Sequence, residues 1–251
     1  MPTLSIIVPC YNEGRTLATV LAAVRASPVA NKEIIVVDDG STDGSAELIR
    51  GPLAALVDIA LHHPVNCGKG AALRTGVAVA RGDYVLMQDA DLEYDPRDHP
   101  RLIQPLLADE ADVVYGSRFL NGPARGCITT RAYLANRFLT WLSNRFTGLA
   151  LTDMETCYKV FRRELIQSVT LEEDGFGFEP EVTAKLAARP GVRIREVPIT
   201  YDARTTRQGK KIGWRDGVRA VYCIARYSTT SKSAATQGVE ADTDLSSRTG
   251  D

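Results

Sequence analysis

Short apolar runs alternate with longer stretches of helical composition along the first half of the chain. Leu4 to Pro9 (LSIIVP) and Ile34 to Val37 are rich in branched residues and lack polar alternation, so both read as buried parallel strands. VDIALHH, DYVLMQDAD and DVVYGSRF read as the third, fourth and fifth strands. Between them, Thr16 to Val24 has helical spacing, and turn residues from Asp38 to Ser45 lead to a helix through Arg50 that Asp43 or Ser41 could cap. GKGAALRTGVAVARG is a glycine turn entering a helix that Gly82 ends. This alternation predicts an α/β fold, with a Rossmann-like, doubly wound, mainly parallel sheet and flanking helices.

From about residue 120 the rhythm changes. TTRAYLANRFLTWLSNRFTG is a long helix with apolar residues at helical spacing, and TCYKVFRRELI a short strand running into a helix. FEPEVTAKLAA predicts another helix, VRIREVPITY an alternating strand, and IGWRDGVRAVYCIARY a last amphipathic helix. From Ser228 onward the chain is rich in Ser, Thr, Ala and Asp with little to bury, the composition of a disordered tail. The expected organisation is one catalytic domain over 1–227, with a nucleotide half to about residue 118, an acceptor half over 119–227, and the tail over 228–251.

A length of 251 residues with 44% hydrophobic content suits one large domain with an ample core. A net charge of −1 argues against a global field for nucleic acid. Five scattered cysteines, none in a CxxC pair, argue against a zinc site or disulfide framework and fit a reducing compartment. No charged leader precedes the first strand, and no apolar run approaches the roughly 18–20 residues that span a bilayer. The expectation is a cytoplasmic protein, free or peripheral on the cytoplasmic face of a membrane.

Ligands of doubly wound sheets bind beyond the carboxyl ends of the strands. Here four strands end in polar residues: PCYNE, DDGSTDG, DAD and GSR. Asp39 and Glu13 are placed to hydrogen-bond a nucleoside, or else to cap helices. Asp89 and Asp91 offer hard oxygen ligands, and magnesium or manganese typically takes one or two carboxylates plus phosphate oxygens. Glu93 is either a third ligand or a solvated turn residue. Lys69 sits where a helix begins, near a nucleotide phosphate or base, or simply at the surface. Its Gly-Lys-Gly is not the GxxxxGK[ST] of a P-loop, and no GxGxxG follows the first strand, so ATPase and dehydrogenase readings fail.

Taken in order, SIIVPCYNE, EIIVVDDGSTDGS, NCGKGAALRTG and DYVLMQDADLEYDP resemble a family 2 glycosyltransferase of the GT-A fold. VVYGSRF, DMETCYKVFRREL and GFGFEPEVTAKLA are similar, more narrowly, to the dolichyl- or polyprenyl-phosphate hexose synthases, of which the mannose synthase is the best known. The resemblance implies that Pro9, Tyr11, Glu13 and Asp39 hold the base and ribose of a nucleotide sugar. It implies that Asp89 and Asp91 form a DxD-type metal motif and that Arg118 and Arg131 face a lipid phosphate, so Asp91, Arg118 and Arg131 are the expected catalytic groups. Some mannose synthases carry Gln near the second aspartate where this chain has Glu93, which leaves the third metal contact open. Lys210 and Lys211, between glycines 209 and 213, would ride a loop over the donor phosphates. Trp214 and Tyr222 read as core or interface anchors.

The implied reaction is inverting transfer of a hexose, from GDP-mannose or a UDP-hexose, to a polyprenyl or dolichyl phosphate. A phosphate monoester, with a second pKa near 6, is mostly dianionic at neutral pH and needs no general base. Asp153 and Glu155 in TDMETC therefore receive no base role; they orient the sugar or the acceptor loop, or cap a turn. From Arg118 through Thr147 there are five arginines (118, 125, 131, 137, 145) and no Asp or Glu. Beside Phe138, Leu139, Trp141, Leu142 and Phe146 they suit a helix at a membrane surface or one received by a membrane-anchored partner; the alternative is a helix packed on the sheet with solvated arginines. Two rival functions stand: a family 2 transferase with a soluble or glycan acceptor, and a non-catalytic nucleotide-sugar-binding module.

Overall fold

The computed structural model describes residues 2–121, 129–203, 213 and 215–228. Seven strands form one sheet in the order β3-β2-β1-β4-β6-β5-β7. They are β1 (Leu4–Cys10), β2 (Lys32–Asp38), β3 (Ile59–His62), β4 (Tyr84–Met87), β5 (Val113–Ser117), β6 (Lys159–Arg162) and β7 (Ile194–Pro198). The helices are α1 (Leu17–Ala26), α2 (Ser45–Arg50), α3 (Lys69–Val79), α4 (His99–Leu107), α5 (Thr130–Thr147), α6 (Arg163–Gln167), α7 (Phe178–Ala187) and α8, residues 215–228.

β1 runs parallel to β2 and β4, with Cys10 opposite Asp38 and Ile7 opposite Met87. The apolar run explains this: Leu4, Ile6, Ile7 and Val8 are fully buried, as are Ile34 to Val37 of β2. A strand buried on both faces has no polar side to show, hence the absence of alternation. β6 departs from the parallel pattern. It lies antiparallel between β4 and β5, pairing Val160 with Leu86 and Val114. Its arrival from the far half of the chain means that the segments before and after residue 118 share one sheet, and β7 completes it beside β5. Most predicted elements appear within a few residues of their expected bounds. α4, begun by His-Pro and carrying Pro105, had no counterpart in the hydrophobic pattern. A proline-rich polar segment hides a helix whose buried face is Leu102, Ile103 and Leu106. Asp43 does tie α2: its Oδ1 accepts from Ser45 N at 3.0 Å and its Oδ2 from Gly14 N at 2.9 Å. Ser228, placed in the expected tail, closes α8 and is buried; residues 229–251 lie outside those described.

α3 packs on β1 so closely that a Cβ at Gly76 would sit 2.4 Å from Ile7 Cγ2. Ile7 is fully buried and branched, so it cannot swing clear. Gly76→Ala is expected to lower unfolding free energy by about 1–3 kcal/mol, measured by urea titration. Gly175→Ala, where a Cβ meets nothing within 4 Å, should change it by less than about 0.5 kcal/mol.

Candidate active site

The carboxyl ends of β1, β2 and β4 stay hydrogen-bonded beyond the last strand residue: Asp39 N donates to Cys10 O at 2.8 Å and Gln88 N to Ile7 O at 2.9 Å. Three polar turns are thereby fixed on one rim. They open onto a cavity of about 710 Å³ lined by Pro9, Tyr11, Glu13, Asp39, Lys69, Asp89, Asp91, Glu93 and Arg118, among others. The loop after β1 is fastened to its neighbours. Asn12, at φ 52, accepts from Thr42 N at 2.7 Å, and Thr16 Oγ1 lies 3.0 Å from Glu13 Oε2 and donates to Ala90 O at 2.9 Å. Glu13 and the Asp89–Asp91 turn are thus held against each other.

Asp39 is buried and takes the turn between β3 and α3 in its carboxylate. Oδ1 accepts from Cys67 N at 2.9 Å, Oδ2 from Gly68 N at 2.8 Å, and His63 Nδ1 lies 2.7 Å from Oδ1. A carboxylate has roughly four acceptor positions, so these contacts leave about one for a ligand. Asp39, His63 and Cys67 bring ligand-type atoms within 4.8 Å of one another. However, His63 Nε2 also meets Thr75 Oγ1 at 3.0 Å. Both ring nitrogens are committed, and the group is a hydrogen-bonded turn in the cavity wall. Gly68, at φ +102, has its missing Cβ 2.3 Å from Asp174 O, so α3 begins against the 173–175 loop where only glycine fits.

Lys69 opens α3 and points its ammonium at two carboxylates, Asp89 Oδ1 at 2.9 Å and Glu179 Oε1 at 3.2 Å. Burial alone would discharge it; Asp89 and Glu179 outweigh that cost and hold its pKa well above the usual lysine value. Asp91 Oδ1 accepts from Glu93 N at 3.1 Å, and Glu93 Oε2 accepts from Tyr201 OH at 2.8 Å. Asp89 and Asp91 present the hard-oxygen donor set that magnesium or manganese takes beside a diphosphate, so the residues present fit such an ion. Glu93 lines the same cavity, with one oxygen engaged by Tyr201.

Across the cavity, Arg118 is gripped by Asp153. Nε donates to Oδ2 and Nη2 to Oδ1, each at 2.7 Å, and the Arg118 backbone N–H also donates to Oδ2 at 3.0 Å. The guanidinium also packs over the Tyr201 ring, 5.1 Å from its centroid. Its side chain is 7% exposed and that of Asp153 is fully buried. Burial works against the charge, yet the bidentate carboxylate keeps Arg118 protonated far beyond neutral pH.

Of the remaining expected residues, Arg131 is exposed on the first turn of α5 and is not among the lining groups, whereas Ala132, Ala135 and Asn136 of that helix are. Arg125, Lys210, Lys211 and Trp214 lie outside the described residues. Tyr94, Tyr201, Asn136, Glu155 and Glu179 also line the cavity; sequence reasoning assigned none of them to ligand contact except Glu155, left open as an orienting residue. The quoted DLEYDP and GFGFEPE carried Tyr94 and Glu179 in plain sight, but neither type signals a ligand until the fold turns it inward. α5 packs one side against the core, as the packed-helix alternative has it, and leaves apolar residues and arginines exposed on the other. Leu139 is buried and Leu142 and Phe146 pack partly against the core, while Leu134, Phe138 and Trp141 are 60%, 52% and 60% exposed.

Residues 5–170 match the family model described as Glycosyl transferase family 2. The chain is 35% identical over 210 residues to Glycosyltransferase AglJ of Haloferax volcanii, covering 81% of this chain and 65% of that protein. It is 31% identical over 237 residues to an undecaprenyl-phosphate mannosyltransferase of Micrococcus luteus, covering 90% of this chain and 94% of that one. A polyprenol monophosphomannose synthase of Mycolicibacterium smegmatis is 29% identical over 244 residues, covering 93% and 90%. Among solved structures, glucosyl-3-phosphoglycerate synthase from Mycobacterium tuberculosis, in complex with Mn2+, UDP and phosphoglyceric acid, superposes with a TM-score of 0.68 at 23% identity, covering 90% of this chain and 78% of that one. The likeness is one of fold, and it is the GT-A fold.

Asp153→Asn keeps the shape of the carboxylate but strands the buried Arg118 charge. Unfolding free energy should fall by about 3–5 kcal/mol, read from denaturant midpoints.

Proposed function

Since the chain belongs to glycosyl transferase family 2 and is a glycosyltransferase, we propose that it moves a hexose from a nucleotide sugar to a polyprenyl phosphate with inversion at the anomeric carbon. The observation that carries this reading is that one cavity is lined by two separate sets of charged groups. Asp89, Asp91 and Lys69 form a set suited to a diphosphate, and Arg118, held by Asp153, forms one suited to a second phosphate. The acceptor class is supported by relatives named as undecaprenyl-phosphate and polyprenol-phosphate mannosyl enzymes.

In the proposed step, an acceptor phosphate oxygen forms a bond to the anomeric carbon. The bond from that carbon to the donor diphosphate breaks, and its electron pair leaves on the diphosphate oxygen. No proton has to move, because the dianionic phosphate already carries the attacking lone pair. Arg118 orients the attacking phosphate in line, its own guanidinium held in register by Asp153. Lys69 offers an ammonium to the leaving diphosphate in exchange for its contacts with Asp89 and Glu179. Asp39, Glu13, Tyr11 and Pro9 form the base and ribose end. A magnesium or manganese ion on Asp89 and Asp91, with Glu93 direct or through water, would supply charge neutralisation on the departing diphosphate. Arg131, one residue from the cavity wall, and Lys211 remain proposed phosphate contacts of the acceptor and donor ends.

The same reading places the protein at a membrane surface. Among the described residues no helix is long and apolar enough to cross a membrane. α5 and α8 both line the cavity, and both carry exposed apolar residues: Leu134, Phe138 and Trp141 on the first, Val218, Val221 and Tyr222 on the second. Positions 134, 138, 141 and 145 fall on one helical stripe, ending in the exposed Arg145. Apolar side chains flanked by arginines suit insertion at the headgroup level of an anionic leaflet.

Two measurements test the proposal. Purified protein incubated with manganese, a short polyprenyl phosphate and a panel of GDP- and UDP-sugars should place sugar in the lipid phase. Chelator should abolish that transfer, and Asp91→Asn should lower kcat by about 100-fold or more. Transfer to a soluble sugar alone would overturn the lipid-phosphate acceptor. Binding to vesicles of one-third phosphatidylserine should weaken about tenfold in the double variant Phe138→Ser, Trp141→Ser. Activity of that variant on a short, detergent-dispersed acceptor should stay near wild type.

A further inference from the structure

Resting on the transferase reading above, we propose that Glu155 is the residue that recognises the donor hexose, its carboxyl hydrogen-bonding to sugar hydroxyls. Glu155 lines the cavity, and its Oε1 is buried without a hydrogen-bond partner. Glu179, also lining the cavity and only 4% exposed, has the same feature at Oε2. A buried polar oxygen left unpaired costs about 1–3 kcal/mol, and two of them in the wall of one cavity mark groups whose partners come with a ligand.

Their position narrows the ligand. Glu155 lies two residues after Asp153, the partner of Arg118, and Glu179 bonds Lys69, the partner of Asp89. Glu155 thus lies within electrostatic reach of both Arg118 and Glu179, the groups that belong to the two proposed phosphate-binding sets. On that reading the transferred hexose lies between the two sets, since its anomeric carbon is attacked by the phosphate at one and released by the diphosphate at the other.

The loop that carries Glu155 is built not to move. Thr152 N and Asp153 N donate to Glu196 at 2.7 and 3.0 Å, and Met154 N donates to Thr140 Oγ1 at 3.0 Å. The fully buried Lys159 donates its ammonium to the carbonyls of Met154 and Thr156, on either side of Glu155. Cys157 N donates to Tyr94 OH at 3.0 Å. Holding a single side chain this firmly, with its own oxygen unpaired, is what selection between epimeric hydroxyls requires. The charged groups facing Glu155 are Glu179 from α7, Lys159 from β6, Arg118 after β5 and Asp153 on its own loop. Burial, then repulsion from Glu179, push its pKa up to about 8 against the opposing pull of Lys159 and Arg118. The carboxyl is accordingly neutral at pH 7 and able to donate. The contribution is present below pH ~8 and lost as pH rises through that value.

The test compares binding of a nucleotide sugar with binding of its own nucleoside diphosphate. Full-length wild type, Glu155→Ala and Glu155→Gln are titrated with GDP-mannose, UDP-glucose and UDP-galactose, and with GDP and UDP, in the presence of manganese. Glu155→Ala should weaken the sugar nucleotide that wild type prefers by about tenfold while leaving the matching diphosphate unchanged. Discrimination between glucose and galactose should shrink with it. Glu155→Gln should retain most of the affinity, and should lack the loss that wild type shows above pH ~8. Equal loss of diphosphate and sugar nucleotide, or an unchanged ratio between them, would overturn the assignment and leave the transferase reading standing. Failure of wild type to bind any nucleotide would overturn that reading and this one with it.

Discussion

Everything at the cavity depends on how β1 is paired. It is the one strand bonded in parallel to both nucleotide-side neighbours, β2 and β4, and the ladder continues past its last residues through Asp39 N to Cys10 O and Gln88 N to Ile7 O. Parallel pairing puts three carboxyl ends on one rim. A slip of one residue would carry the turn after β1 about 3.3 Å along the sheet, out of level with the turns after β2 and β4. The acidic turns are polar because they are released from the sheet; they are close together because the sheet releases them at the same level.

Both cations described at the cavity are already paired with carboxylates. Lys69 is shared between Asp89 and Glu179, and Arg118 is clamped by Asp153. Cations held in this way are buried without being discharged, since each has a carboxylate close enough to offset its desolvation. Arg118 illustrates the cost of such an arrangement: its orientation is inseparable from a fully buried aspartate, so the geometry of this cavity wall and the stability of the fold rest on the same contact.

The second half of the chain is less an added unit than the far wall of the first. β6 enters antiparallel between β4 and β5, and the loop before it brings Glu155 and Cys157 into the same cavity wall as Asp89 and Asp91. α5 and α8 line the cavity with small residues, Ala132, Ala135, Gly217 and Ala220, while their outer faces expose apolar residues beside arginines. The one cavity is consequently lined from the first residues of the chain to the last helix.

Local pattern determined a good deal. Apolar runs without alternation foretold the parallel strands, glycine and aspartate turns marked their ends, and the carboxylates of DAD, the lysine of GKG and the arginine of GSR stood out at the positions where the sheet presents them. These are legible because strand burial and turn chemistry are properties of a few adjacent residues. Other features were decided only by the tertiary structure. The antiparallel insertion of β6 depends on which strand edge is left open, and α4 is a helix because Leu102, Ile103 and Leu106 have a core to enter despite flanking prolines. Glu179 and Tyr94 became part of the site because distant segments fold against the rim. Asp39, read as a nucleoside contact, also spends most of its carboxylate on the backbone of a turn 28 and 29 residues away. A residue's type announces what it can bond; which partner it meets is set by long-range packing, and no stretch of neighbouring residues contains that information.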